Sequence, residues 1–445
     1  MANNKFFDFL ETKMMPVMGK VANQRHLSAV KNGMIGIIPF TILGSMCLIL
    51  RFPPIDPSKV GANPNFFIKM LLAWKTWADA NGDAIMMPFN MTMALLGLFA
   101  VIGISYNLAK TYKLNLLSAT TLSLMSYLVV AAPATNGALP MGYLDAKGLF
   151  TAIIVGLVSV EVLKFMEDRD IKIKMPDGVP PAVANSFASL IPAFVLIIIF
   201  YALSLIVQSA TGMILPQAIM AMMAPLVGAV DSPIGVFFTV LLCQLLWFAG
   251  IHGASTVGAV LTPFLIQNWN LNAELRIAGE AMKYTYTRPM WAFFICLGGS
   301  GATLALAFMM LRSKSKQLSS VGKVGILPGL FNINEPIIFG APLVLNPIMF
   351  IPFVFISPIL GVLSYFAIDM GLVGRAFATA PWTTPAPIGA FMATMDWRAA
   401  VWVVVLFVLS SLMYYPFFKT YEKQLVQQEQ EAAAMEAGDE QTVTA

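Results

Sequence analysis

The chain has 445 residues, of which 58% are hydrophobic and only 11% charged, with 27 Lys and Arg against 23 Asp and Glu and a net charge of +4. Soluble domains carry about 25% charged residues, so the chain lacks the charge to cover a water-facing surface of its size. Ordinary cytosolic enzymes, coiled coils and disordered proteins are excluded, and apolar content spread this evenly implies a bilayer as solvent. The slight positive balance sits in short clusters at the ends of apolar runs, which sets topology and makes no nucleic-acid-binding face.

In chain order, Phe6, Phe9, Leu10, Met14, Val17 and Val21 recur at helical spacing with charges between them. They predict an amphipathic helix, lying on the cytoplasmic leaflet or on the protein's own underside. No cleavable signal peptide is expected. A bilayer crossing needs about 20 mainly apolar residues. The candidate spans are 33–50, 88–109, 114–132, 148–166, 186–208, 234–250, 253–268, 290–311, 349–370 and 397–418. The stretch 212–227, broken by Pro216 and Pro225, reads as a helix lying in the interface. Residues from Gln424 onward lack an apolar face and read as a solvated helix or a disordered tail. The fold class is therefore an all-α polytopic membrane protein of about ten spans, with two re-entrant hairpins described below and interfacial amphipathic helices.

Orientation follows the basic residues. Lys5, Lys13, Lys20, Arg25 and Lys31 precede the first span, and short joins carry Lys110 and Lys113, then Arg169, Lys172 and Lys174, then Arg312, Lys314, Lys316 and Lys323. Both termini are then cytoplasmic, which requires an even number of crossings. Cys47, Cys243 and Cys296 each sit in an apolar run without a partner at disulfide or metal spacing. They read as small buried hydrophobes, and no cofactor or metal is expected.

Polar groups at membrane depth are costly and therefore informative. His252 follows Leu245-Leu246-Trp247-Phe248-Ala249-Gly250-Ile251 and precedes Gly253. The flanking glycines predict a helix break, which survives at depth only beside a cavity or inside protein. His26, among Arg25 and Lys31, reads as a surface residue. A second site is Phe331-Asn332-Ile333-Asn334-Glu335-Pro336, too short to cross and bounded by Pro328, Pro336 and Pro342. It predicts a hairpin dipping from the cytoplasmic side. Glu335 is its one ionisable group, and amides beside a carboxylate offer the donor and acceptor pattern of sugar hydroxyls. Glu335 capping a buried helix with Pro336 at its first position is the structural alternative. A third site, Ala380-Pro381-Trp382-Thr383-Thr384-Pro385-Ala386-Pro387, has too many prolines for a helix. It predicts a hairpin from the outer side, with Trp382 either stacking on a sugar ring or anchoring at the interface. Opposed hairpins and a broken helix mark a solute pathway. Composition and spacing stop at a transporter of a neutral polar solute.

The blocks 248–256 (FAGIHGAST), 297–303 (LGGSGAT), 331–340 (FNINEPIIFG), 342–353 (PLVLNPIMFIPF) and 380–382 (APW), with 24–33 (QRHLSAVKNG) and 175–192 (MPDGVPPAVANSFASLIP), carry a resemblance. The chain resembles the IIC permease components of the bacterial sugar phosphotransferase system, in the lactose, cellobiose and chitobiose branch, over roughly residues 10–420. That resemblance implies a homodimer in the bacterial cytoplasmic membrane. Its N-terminal five-helix half, residues 1–211, makes the dimer contact. Its C-terminal half, residues 212–423, holds the sugar, and residues 424–445 form a polar cytoplasmic tail. It implies that His252, Glu335, Asn334 and Trp382 bind a disaccharide, with Gln244 and Trp247 on the helix leading to His252 as further candidates.

The implied mechanism is group translocation. Glu335 accepts a hydrogen bond from the sugar 6-hydroxyl, either as general base or as a hydrogen-bond partner only, while a separate phosphorylated IIB subunit, charged by IIA, supplies the phosphoryl group. The chain alone is then a permease subunit that phosphorylates only with its donor. The rival reading is an ion-coupled secondary transporter in which Glu335 carries a proton. An intramembrane hydrolase fits poorly, because it needs a nucleophile–base or carboxylate pair at depth.

Overall fold

The computed structural model describes residues 24–176 and 178–443, with the isolated positions 12, 16, 17 and 20. The expected N-terminal amphipathic helix, Phe6 to Val21, lies almost wholly outside the described residues. Among the described residues the regular elements are helical, apart from one isolated bridge between Thr135 and Ala138.

The first part of the chain builds α1 (Arg25–Gly36), α2 (Ile38–Arg51), α3 (Phe66–Ala80), α4 (Gly82–Asn90), α5 (Leu96–Tyr112), α6 (Leu116–Ala131), α7 (Leu149–Asp168), α8 (Pro181–Ala188), α9 (Leu190–Thr211) and α10 (Leu215–Val230). Polar caps start several of them, each satisfying a backbone N–H that the first turn leaves free. Gln24 accepts from the Leu27 N–H at 2.7 Å and Asn115 from the Ser118 N–H at 3.0 Å. Buried serines inside these helices turn their hydroxyls back on their own backbone, as Ser105 does to the Val101 carbonyl at 2.7 Å. A core of Ala100, Val101, Ile104, Tyr127, Val155, Val160 and Phe200 is fully or nearly fully buried. His26, expected at the surface, is bonded through Nε2 to Glu161 at 2.6 Å.

The second part builds α11 (Pro233–Phe248), α12 (Gly253–Ala278), a helical turn at Arg288–Met290 that runs into a π-helical turn at Trp291–Ile295, then α13 (Leu304–Leu311), α14 (Lys316–Leu330), α15 (Glu335–Gly340), α16 (Phe350–Asp369), α17 (Ala386–Thr394) and α18 (Trp397–Val443). Its core includes Val240, Leu246, Phe248, Phe293, Phe294, Phe353, Leu360 and Tyr414. A third, smaller cluster bridges the two, with Leu48, Phe89 and Met93 from the first part and Trp269, Ala273, Phe377 and Met395 from the second.

Among the described residues six helical stretches are long and apolar enough to cross a membrane, and they match the expected spans at 33–50, 88–109, 148–166, 186–208, 349–370 and 397–418. The span 114–132 appears as α6, a shorter apolar helix, and 234–250 as α11, which meets α10 at a 74° bend. Two expectations are corrected. The run 290–311 is no single crossing helix, because Gly298, Gly299 and Gly301 adopt positive φ and break it between Ile295 and Leu304. The run 253–268 does not stop there: α12 continues to Ala278 with Asn268, Asn270 and Asn272 buried. It can do so because their amides are used. Asn268 donates to the Tyr286 carbonyl at 3.0 Å, and Asn272 donates to the Tyr284 and Ala376 carbonyls at 2.7 and 3.1 Å.

The stretch expected as an interfacial helix is α10, which buries Leu215, Ile219 and Val227 against the first core. The packing boundary between the two cores therefore falls near Asp231. Beyond it, α12 ties the parts together. Glu274 pairs with Lys147 at 2.6 Å, and the Arg276 guanidinium lies over the rings of Phe52 and Phe377, 5.1 and 5.4 Å from their centroids. Finally, the tail from Gln424 onward continues α18, which runs from Trp397 to Val443, and residues 424–434 of it are mostly exposed, as a solvated helix would be.

Candidate functional site

The site is built from three non-helical turns. The first ends α11. Gly250 has φ +83°, a left-handed conformation open to glycine, and it reverses the chain into Ile251 and His252. A Cβ on Gly253 would collide with the Cys243 carbonyl, so the second glycine lets the two helix ends close together. His252 is the N-cap of α12 and accepts from the Ser255 N–H at Nδ1, 3.1 Å away. A backbone N–H can only donate, so the neutral ring carries its proton on Nε2 and presents that N–H outward. The ring lies against the Trp247 indole, with 4.3 Å between centroids, and is exposed.

The second turn carries Glu335. α14 ends at Leu330, Asn332 takes φ +64°, and the chain re-enters a short helix in which Glu335 is the first residue and Pro336 the second. Glu335 is exposed, and its carboxylate has no hydrogen-bond or ion-pair partner among the described residues. Asn334, by contrast, is buried, and its amide nitrogen donates to the Ser300 carbonyl at 2.6 Å and to the Thr303 hydroxyl at 2.8 Å. Both partners belong to the glycine-rich break after Ile295. A Cβ on Gly299 would overlap the Asn334 amide, so the contact needs glycine there.

The third turn carries Trp382, which is about half exposed at 48%. Its backbone carbonyl accepts from Asn332 Nδ2 at 2.8 Å, and the Thr384 carbonyl accepts from the same nitrogen at 3.0 Å. Asn332 Oδ1 accepts from the Gly298 N–H at 3.2 Å. One side chain thus joins the Glu335 turn, the Trp382 turn and the glycine-rich break.

Of the residues expected from sequence, the structure links the Glu335 and Trp382 segments directly through Asn332. The His252 turn reaches the same region through the segment after α15, where the Leu345 N–H donates to the Phe248 carbonyl at 3.0 Å. No hydrogen bond joins Glu335 to His252 among the described residues. Gln244 is fully buried with both amide atoms unpartnered among the described residues, and the Trp247 Nε1 is likewise buried without a partner among them. Such groups cost roughly 1–3 kcal/mol each when left unmade.

Sequence reasoning passed over Asn332, and the signal was available. Asn is among the few residues other than glycine that tolerate the left-handed region, and here it ends a helix before a proline-bounded turn. It also gave no sign of the polar contacts that α18 makes. Tyr414 donates to the Gly301 carbonyl at 2.6 Å and Tyr421 to the Ala341 carbonyl at 3.1 Å. Further along, Glu422 accepts from the Ser313 hydroxyl and the Lys314 N–H at 2.7 and 2.8 Å. Glu429 accepts from the Ser315 hydroxyl and the Lys316 and Gln317 N–H groups at 2.7 to 3.0 Å. One helix therefore supports the glycine-rich break, the end of α15 and the start of α14. Among the described residues no cluster of three or more His, Cys, Asp or Glu could hold a metal.

Apolar helices packed around proline- and glycine-broken turns, which bring a carboxylate and an exposed tryptophan together on one hydrogen-bonded frame, define a polytopic permease for a polar solute. Comparison with known proteins gives the family. Residues 31–357 match the family model of the phosphotransferase system EIIC, and the chain belongs to that family. It is 36% identical to the cellobiose-specific EIIC component of the phosphotransferase system of Geobacillus stearothermophilus, over 98% of both chains. It is also 36% identical to the lichenan permease IIC component of Bacillus subtilis (strain 168), over 96% of both. The crystal structure of the transporter ChbC, the IIC component from the N,N'-diacetylchitobiose-specific phosphotransferase system, superimposes with a TM-score of 0.86 at 36% identity. The match covers 95% of this chain and 99% of that one.

Proposed function

We propose that this permease carries a β-linked disaccharide of the cellobiose or chitobiose type and presents its 6-hydroxyl to a separate phosphorylated IIB subunit, itself charged by IIA. The observation that carries the reading is the likeness to the chitobiose transporter along nearly the whole of both chains. The cellobiose-specific relative points the same way.

In this reading the Glu335 carboxylate, which has no partner among the described residues, accepts the hydrogen bond of the 6-hydroxyl. It takes the proton as the oxygen attacks the phosphoryl group, while the IIB side chain leaves. His252 donates from Nε2 to a sugar hydroxyl, Trp247 fixes its ring, and Trp382 stacks on the sugar. The unpartnered amide of Gln244 finds its partners when a hydroxyl-rich solute or its water enters. Asn334, with its amide nitrogen committed to Ser300 and Thr303, supports the turn and leaves sugar contact to Glu335. The product carries nearly two negative charges at neutral pH, which favours its release to the cytosol and prevents return.

The first core then serves as the scaffold of a homodimer, and the second moves the sugar. The chain sits in the bacterial cytoplasmic membrane with both termini in the cytoplasm. Vesicles holding the purified protein and a phosphorylated IIB test this: sugar phosphate should accumulate. Accumulation of free sugar that depends on a proton gradient and ignores the donor would overturn the reading.

A further inference from the structure

Asn332 occupies a position where the backbone alone asks for glycine. It sits just past the end of α14 with φ +64°, and the Ile333 N–H closes back on the Pro328 carbonyl at 3.0 Å. Helices commonly end on a left-handed residue of this kind, usually glycine. Glycine would terminate the helix equally well; what it lacks is the side chain. Here each polar atom of that side chain is bonded outside its own turn. Nδ2 donates to the Trp382 and Thr384 carbonyls, and Oδ1 accepts from the Gly298 N–H. The residue is buried, and its bond to Gly298 lies in the interior, while the two to the Trp382 turn are partly buried.

No other hydrogen bond joins residues 331–335 to residues 380–385 among the described residues. Glu335 lies three positions on, and its own carboxylate has no partner among the described residues. Two side-chain amides beside it hold its turn: Asn334 ties the turn to the glycine-rich break, and Asn332 ties it to the turn that carries Trp382. We propose that Asn332 is a positioning residue for phosphoryl transfer. Its amide fixes the separation between the Trp382 turn and the Glu335 turn, so that the carboxylate meets the hydroxyl of a sugar seated on Trp382. This rests on the permease reading above. Loss of the clamp leaves both contact residues in place but lets one move against the other, and a misplacement of about 1 Å can cost about 100-fold in rate.

Two variants separate positioning from general support. Asn332→Gly keeps the left-handed backbone and removes all three bonds. Asn332→Asp keeps an acceptor for Gly298 and turns a carboxylate toward the Trp382 and Thr384 carbonyls. In membranes with a phosphorylated IIB, the single-turnover rate of sugar phosphorylation is measured at saturating sugar, normalised to sugar bound in the same sample. Dissociation constants come from binding isotherms. The rate per bound sugar should fall about 100-fold in Asn332→Gly and at least as far in Asn332→Asp, while the dissociation constant rises no more than about fivefold. Normalisation removes any contribution from protein that failed to fold. A rate per bound sugar within about threefold of the unaltered protein in both variants, or a loss of activity wholly accounted for by lost binding, overturns the proposal. If the unaltered protein forms no sugar phosphate, the permease reading fails and this role falls with it. If it does and both variants match it, only the role of Asn332 fails.

Discussion

Ser315 donates its hydroxyl to Glu429 at 2.7 Å, fastening the head of the helix that leads to Glu335 onto a turn of α18 beyond the apolar part of that helix. The same carboxylate takes the N–H groups of Lys316 and Gln317, so it caps α14 from another element. Bonds from the Gln317 N–H, the Ser315 hydroxyl and the Lys316 N–H hold its carboxyl below the usual glutamate range. A carboxylate whose value is depressed in the folded state contributes its stability above the unfolded value, about 4.3, and loses it as pH falls through the lowered folded value. Glu429→Ala should cost about 1 kcal/mol, as other lost caps do. Hydrogen exchange at residues 316–320 checks it: protection in the unaltered protein should fall on acidification, while the variant should be poorly protected at neutral pH and respond less to acid.

Glu335→Gln keeps the size and one acceptor of the side chain but cannot take a proton. Sugar phosphorylation should fall at least about 100-fold, the lower end of general-base contributions, while the dissociation constant changes by less than about tenfold. Labelled sugar and a phosphorylated IIB supply the assay. Normal product formation by the variant would remove the role assigned to this carboxylate.

His252→Ala removes one outward N–H donor and the ring packed on Trp247. With about 1 kcal/mol for the hydrogen bond and a similar amount for the ring contact, the sugar's dissociation constant should rise roughly 10- to 30-fold. Isothermal titration of purified protein measures it. An unchanged isotherm would leave His252 as the cap of α12 and nothing more.

Phe377→Ala removes one ring from beneath the Arg276 guanidinium and the edge contact with Phe52, whose centroid lies 6.1 Å away. Cation–π contacts contribute roughly 0.5–2 kcal/mol, and the lost aromatic contact adds to that. The thermal midpoint in detergent should drop, and a cysteine placed at Ala378 should label faster with a thiol reagent. Equal labelling rates in both backgrounds would show that the contact does not hold the two cores together.

The parts of this molecule that could be read in advance share a physical cause. Glu335 and His252 stood out because an ionisable group between prolines or glycines in an apolar chain is expensive, and its cost is visible without coordinates. The long apolar spans were legible for the same reason. The break at Gly298 to Gly301 was not, since small residues inside an apolar run also pack well in a continuous helix. The attachment of the tail was hidden because two of the three donors to Glu429 are backbone N–H groups, which carry no side-chain signature, and the third is a lone serine hydroxyl. Asn332 and Asn334 are the same residue type two positions apart. Which one points to the Trp382 turn and which to Ser300 depends on partners far away in the chain.

α12 is one unbroken helix of 26 residues, about 39 Å long at 1.5 Å per residue. It starts at the imidazole and ends beside the Arg276 stack and the Lys147 ion pair. Over that length, a tilt of about 10° at the Arg276 end would displace the His252 end by roughly 7 Å, more than the full pitch of an α-helix. In the permease reading proposed above, a sugar held at His252 would thus be joined through a single helix to a handful of side chains at its far end.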